Sequence, residues 1–203
     1  CVALTEPLSY VDGANIACGF GTVWEALTRI GVSGRDNLLV VGLGPVGMAA
    51  LLLGKALGAQ QVIGVEHSAA RLAICREKGL GDLLIQAGPE ALAQVLAATA
   101  GQGCERAIDC SGNPAGRLLA IQGARKWGRV VFVGEGSTVT FQPSADIMHK
   151  QITVYGSWVT SLGHMESLVE FLVRKELHPE QIVTHRFGLQ EIATAFDLMD
   201  KGQ

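Results

Sequence analysis

The sequence predicts an α/β fold, in which six short parallel strands form one doubly wound sheet with helices on both faces. Two observations predict it. From residue 38 to residue 155, short apolar runs alternate with segments of helical spacing. Parallel sheets with right-handed crossovers produce that rhythm. The second observation is the stretch 38–58, LLVVGLGPVGMAALLLGKALG, where an apolar run passes through a glycine-rich turn straight into small and apolar residues. It reads as strand, turn, helix, and a strand buried on both faces is apolar throughout in this way.

The elements follow in order. Residues 1–12 read as loop, and 13–21 as a compact turn around Cys18. Residues 22–30 have helical spacing, with Val23, Trp24, Leu27 and Ile30 apolar, and 31–36 close that helix. The strand 38–41 enters the glycine turn, and a helix starts at Pro45, where a missing N–H is of little consequence. A second strand covers 61–65 and ends at Glu66. The helix 69–78 stops at Gly79, the strand 82–85 follows, and the helix 89–100 lies between Pro89 and Gly101. Then come a strand at 106–109, a turn at 111–114, a helix at 115–124, and a strand at 129–133 closed by Gly134-Glu135-Gly136. A short helix at 145–149 leads to the last strand, 152–155. Beyond Trp158 the alternation ends. The helix 162–175 carries Met165, Leu168, Val169, Leu172 and Val173 on one face, and His178-Pro179 breaks it. Residues 181–183 are extended, and the helix 189–199 points Ile192, Ala195, Phe196 and Met199 inward before the helix-ending residues 201–203.

Composition excludes several classes of function. The 203 residues are 48% hydrophobic and only 17% charged, with a net charge of -3, so nothing marks a nucleic-acid surface. The charge-free run 38–54 falls short of the roughly 20 residues that a membrane span needs, and glycines and Pro45 interrupt it. No leader is visible, and five cysteines without a CxxC pair fit a reducing, cytoplasmic setting.

The glycine turn has a chemistry of its own. In Gly42-Leu43-Gly44-Pro45-Val46-Gly47, Gly42 permits the tight turn and Gly44 lets backbone approach a pyrophosphate. Gly47 lets the helix pack close to the strand, and the free N–H groups of the first helical turn face the phosphates. Glu66, at the end of the second strand, lies near the expected spacing of about 20 residues for an acceptor of the ribose 2′-OH. A carboxylate there repels a 2′-phosphate, which favours NAD over NADP. Arg71 lines the adenosine ribose, gives tolerance for phosphate, or is an ordinary solvated charge. Cys110 and Ser111 end the fourth strand, and Val133, Gly134 and Glu135 end the fifth, so all five border the crevice at the carboxyl ends of the strands. Glu135 itself reads best as a solvated loop charge. His67 follows Glu66 and reads as lying beside the adenine, while His149, His164, His178 and His185 are scattered, with none at a spacing from a carboxylate that points to acid–base work.

Residues 15–22 (NIACGFGT), the loop Gly42 to Gly47 and the strand 62–66 together resemble the zinc-dependent medium-chain alcohol dehydrogenases, threonine and polyol dehydrogenase-like branch. Residues 182–187 (IVTHRF) and 192–199 resemble that family's late segment. The resemblance implies a Rossmann domain at 22–158, an interdomain segment at 1–21, and C-terminal helices at 159–203 leading toward a catalytic domain outside this chain. It implies NAD and a catalytic zinc, with Cys18 as the one zinc ligand delivered by the cofactor domain. This chain by itself is then expected to hold no catalytic zinc and to be inactive. Thr22 is implied to pack near the nicotinamide, with a helix N-cap as its other reading, and Val46 presents an apolar side chain to the cofactor. The implied substrate is a secondary alcohol, polyol or amino alcohol, oxidised to the ketone. The strand 152–158 resembles the edge through which two subunits join, giving a homodimer or homotetramer. Two rivals stay open. One is a zinc-independent quinone or enoyl reductase of the same superfamily, against which Cys18 and Glu66 argue. The other is a dinucleotide-binding module without catalysis.

Overall fold

A computed structural model describes residues 1–200, and the residues 201–203, read as helix-ending, lie outside them. Six parallel strands form one sheet in the order β3-β2-β1-β4-β5-β6. They are β1 (Asn37–Val41), β2 (Gln61–Glu66), β3 (Leu83–Gln86), β4 (Cys104–Asp109), β5 (Ala124–Phe132) and β6 (Thr153–Gly156). Pairing runs outward from β1, with Val40 opposite Gly64 on one side and Ile108 on the other. The order reverses at β1, so the chain leaves β1 and β4 toward opposite sides. That reversal opens a crevice above their carboxyl ends.

The strands are apolar throughout because they feed two cores. Leu38, Val40, Val62, Ile108 and Val131 point into one layer. Leu39, Val41, Ile63, Val65, Ala107 and Val130 point into the other. The helices α2 (Gly21–Ile30), α3 (Pro45–Ala56), α4 (Ala69–Glu77) and α7 (Leu162–Arg174) contribute to the first layer. The helices α5 (Ala91–Ala98) and α6 (Pro114–Gly123) contribute to the second. A Leu or Ile buried fully in such a layer contributes roughly 1.5–3 kcal/mol.

Several boundaries differ from the sequence reading. Residues 10–15 are not loop but the helix α1 (Tyr10–Asn15), capped by the Ser9 side chain on the N–H of Asp12. The turn around Cys18 is a wide helical turn, Ile16–Phe20, whose path breaks at Ala17 and Cys18. β5 begins at Ala124, which pairs with Cys104, and its first half, with Arg125, Lys126 and the 70% exposed Trp127, carries no apolar run. Trp127 there has φ +57°, and the register against β4 shifts between Cys104 and Arg106. The segment read as extended at 181–183 is mostly a tight turn of helix, Pro179–Ile182. The last helix is α8 (Ile192–Asp200), and it buries no residue. Ile192, Phe196 and Met199, read as inward, are 53%, 59% and 67% exposed among the described residues.

Candidate functional site

The glycine loop joins β1 to α3, and its three glycines answer to three different constraints. Gly42 has φ +86°, and a Cβ there would meet Ser111 Cβ at 2.7 Å, where the loop crosses the end of β4. A Cβ on Gly47 would stand 1.8 Å from the carbonyl oxygen of Gly42, so the helix touches the turn backbone to backbone. Gly44 is different. Its φ of -69° suits any residue, and a Cβ would meet nothing nearer than Arg71 Nη1 at 4.0 Å. The fold thus needs Gly42 and Gly47, while the space over Gly44 is open. Pro45 opens α3, whose N-terminus has no side-chain cap. Its first N–H groups are left for a ligand.

Glu66 is turned inward beneath this loop. Its Oε2 accepts from the Leu43 N–H at 2.7 Å, and its Oε1 accepts from the Ser68 N–H at 2.8 Å. His67 Nδ1 lies 2.7 Å from the same Oε1, and the carboxylate is 1% exposed beside a His67 ring that is 83% exposed. The carboxylate therefore ties the glycine turn to the exit of β2. Arg71, in the first turn of α4, stands over Gly44, on the phosphate side of the loop. A cavity of about 290 Å³ opens there, lined by Gly44, Pro45, Arg71, Thr184, His185 and Phe187 among others. Sequence reading had no means of placing Thr184 and His185 there. Lys78 Nζ fastens that segment by donating to the carbonyls of Gln181 and Val183, at 2.9 and 3.1 Å.

Across β1 lie the ends of β4, β5 and β6. The Cys110 N–H donates to Val41 O at 2.8 Å and continues the ladder past β4. Burial pushes the Cys110 thiol above its ordinary range, and the residue stands half-buried in the wall of the crevice. Asp109 is fully buried and accepts from Ser111 Oγ at 2.6 Å and from the N–H groups of Ser111 and Gly112. Burial raises its pKa, and those hydrogen bonds and the Arg117 charge oppose the rise. Arg117 Nη2 donates to the carbonyls of Gly134 and Gly136, at 2.8 and 3.1 Å. This Asp109–Arg117 pair fixes the loop that follows β5, and with it Val133, Gly134 and Glu135. Neither residue was singled out in the sequence: Asp109 bonds the turn just after it, and the partners of Arg117 are backbone groups of a distant loop. Glu135 is exposed, as read.

Thr22 is buried inside the first turn of α2, and Phe20 holds the cap position, so the N-cap reading of Thr22 is corrected. Cys18 is exposed at the break before it. A Cβ on Gly21 would stand 2.7 Å from Thr160 Cγ2. The Cys18–Thr22 turn therefore abuts the segment leaving β6, and Ile16 and Phe20 beside it share the core layer of α3 and α4.

Three histidines meet carboxylates, two of them across sequence gaps of 139 and 166 residues. His67 faces Glu66, His164 Nδ1 contacts Glu25, and His178 Nδ1 lies 3.0 Å from Asp12. The latter two pairs join α7 to α2, and the turn after α7 to α1. They serve packing between elements. For both Asp12 and Glu25, burial pushes the pKa up but is outweighed by hydrogen bonds, those of His178, Glu180 and Ser9 for Asp12, and those of His164 and Arg29 for Glu25. Both carboxyls end below their ordinary values.

The profile of the zinc-binding dehydrogenases matches residues 45–174, more than half of the chain. The chain belongs to the zinc-binding dehydrogenase family. It is 48% identical over 202 residues to the uncharacterized zinc-type alcohol dehydrogenase-like protein YphC of Escherichia coli (strain K12), and 32% identical over 205 residues to the sorbitol dehydrogenase of Homo sapiens. Each match covers 100% of this chain and 57% of the relative, so the chain spans little more than half the length of these relatives. The alcohol dehydrogenase TADH from Thermus sp. ATN1 superposes with a TM-score of 0.87 at 25% identity, over 98% of this chain and 58% of that one. An E. coli CFT073 alcohol dehydrogenase complexed with NADH superposes at 0.85 over 97% of this chain and 58% of its own; at 22% identity it shows the fold alone. The region shared with these relatives is the family's cofactor-binding part, and the sheet described above is its core. No helix among the described residues is long and apolar enough to cross a membrane.

No group of three or more His, Cys, Asp or Glu among the described residues could hold a metal ion. A catalytic zinc needs three protein ligands, so Cys18 alone does not make a site.

Proposed function

We propose that this chain is the NAD-binding part of a zinc-dependent dehydrogenase that oxidises a secondary alcohol, polyol or amino alcohol. The observation that carries the reading is the contrast within the glycine loop. Gly42 and Gly47 are required by packing, whereas Gly44 faces open space under Arg71. A pyrophosphate laid against Gly44 meets the N–H groups opening α3 and the Arg71 guanidinium, a charge-assisted contact. Glu66 keeps unused lone pairs on its carboxylate, and a ribose hydroxyl displaces the exposed His67 ring from Oε1. The bound cofactor supplies the hydride acceptor. The chain's own residues bind it, orient it and shield its redox end, where Thr22, Val46, Val133 and Gly134 form the wall.

In this reading 22–158 is the cofactor domain. Residues 1–21 and 159–203 connect it to the catalytic domain, which completes the zinc site around Cys18 and covers the apolar face of α8. The exposed edge of β6, with Val154 and Trp158 at 39% and 69% exposure, joins a second copy. An exposed, unpaired edge strand invites strand pairing. Glu66 and Cys18 favour this reading over an NADPH-linked, zinc-independent reductase. The test is alcohol-dependent NAD reduction by the protein extended through the residues that precede Cys1. Reduction that depends on zinc and is lost in Cys18→Ser supports the proposal. Reduction untouched by metal removal refutes its zinc half.

A further inference from the structure

Two buried side-chain polar atoms among the described residues lack a hydrogen-bond partner: Arg117 Nε and Ser157 Oγ. Both residues line one open cavity of about 490 Å³ at the carboxyl ends of β5 and β6, together with Val133, Gly134, Glu135 and Trp158. Arg117 Nε has an electrostatic reason for its position, since Asp109 Oδ2 stands 3.7 Å away. Ser157 has none. Its N–H donates to Phe132 O at 3.1 Å, so the β5–β6 ladder fixes its backbone, and the residue is 8% exposed. An unpaired buried hydroxyl costs about 1–3 kcal/mol, and native structures seldom leave one without a ligand or water to complete it. Two residues on, Val159 has φ +58°, a strained conformation for a β-branched side chain. Strain of that kind concentrates at binding sites.

The place of this hydroxyl identifies its partner. The sheet order puts β2, with Glu66, on one side of β1, and β4, β5 and β6 on the other. A dinucleotide laid across the reversal, with its adenosine over β2, puts its second base over the ends of β4 to β6. That end also meets the Cys18–Thr22 turn, through Gly21 against Thr160. The one hydrogen-bonding substituent on a nicotinamide ring is its carboxamide, which presents one acceptor oxygen and one donor NH₂. A serine hydroxyl can serve either. We propose that Ser157 Oγ holds the carboxamide of the nicotinamide ring and so sets the ring's orientation. The inference rests on the dinucleotide reading above, and makes Ser157 a positioning residue.

Calorimetric titration of NAD and of ADP-ribose, which lacks the nicotinamide, into the wild-type chain, Ser157→Ala and Ser157→Cys tests it. The expected result is a Kd for NAD weakened about 3- to 10-fold in both variants, with ADP-ribose unchanged. The unliganded variants should melt at or above the wild-type temperature, because an orphan hydroxyl has been removed. The cysteine keeps the side chain's shape, so it carries the comparison if the alanine variant does not fold. Equal NAD affinity in the wild type and the variants overturns the role of Ser157 alone. Equal weakening of NAD and ADP-ribose also overturns it, since that marks a structural effect. A wild-type chain that binds neither ligand overturns the dinucleotide reading itself, and the inference with it.

Discussion

Alanine at Gly44 and alanine at Gly47 should give opposite defects, although the two positions are three residues apart in one loop. At Gly47 the added Cβ would lie 1.8 Å from Gly42 O and 2.8 Å from Gly42 C. No rotamer relieves a backbone clash, so α3 must move off β1. Overpacking of this kind costs typically about 1–3 kcal/mol. In a chain of this size each kcal/mol lowers Tm by roughly 2–4 °C. Gly47→Ala should therefore melt about 2–12 °C below wild type. At Gly44 the backbone conformation suits alanine, and nothing stands within 4.0 Å except Arg71 Nη1. Alanine there loses about 0.4–1 kcal/mol less chain entropy on folding, against roughly 0.5–1 kcal/mol lost by replacing a glycine N-cap with alanine. Stability should stay within about 1 kcal/mol. NAD affinity should fall at least about tenfold, a change of 1.4 kcal/mol, because the methyl occupies the pyrophosphate's place. Scanning calorimetry and NAD titration on both variants read the two effects. A Gly44→Ala chain that keeps wild-type NAD affinity would refute the cradle, and a Gly47→Ala chain as stable as wild type would refute the packing argument.

Two further outcomes follow from the geometry. The Asp12 and Glu25 carboxyls are held below their ordinary values. The stability they contribute is complete above the unfolded pKa values and disappears as pH falls through the folded ones; a plot of Tm from pH 6 toward pH 3 should fall, and Asp12→Asn should flatten it. An unchanged slope in that variant would remove Asp12 from the account. At the sheet edge, Val154→Asp on β6 should shift the protein to smaller species in sedimentation without lowering Tm, since Val154 is already 39% exposed. A wild-type chain that sediments as a monomer rejects the edge pairing.

The parts of the fold set by short-range physics were legible in the sequence. The positive φ of Gly42 and the close approach of Gly47 to Gly42 act within the loop itself, and the strands are apolar because both faces are covered. Long-range polar contacts were not legible. His164 meets Glu25 across 139 residues and His178 meets Asp12 across 166, and no spacing rule spans such gaps. The inward turn of Glu66 depends on where Leu43 and Ser68 present their N–H groups, which needs the assembled loop. Arg117 reads as an ordinary helix charge until the loop after β5 is folded over it. The first half of β5 escaped because its residues are polar or exposed. In α8, periodicity showed that Ile192, Phe196 and Met199 share a face, but periodicity says nothing about what covers a face. Ser157 was missed because an unpaired hydroxyl is a property of surroundings, not of sequence.

The central claim is that the crevice over β1 binds NAD through Glu66, the glycine loop and Arg71. Its most direct test is a pair of calorimetric titrations of the wild-type chain, one with NAD and one with NADP. The buried carboxylate at the end of β2 predicts saturable binding of NAD, and binding of NADP at least about tenfold weaker. No heat of binding with NAD, or a tighter fit for NADP, would contradict the account.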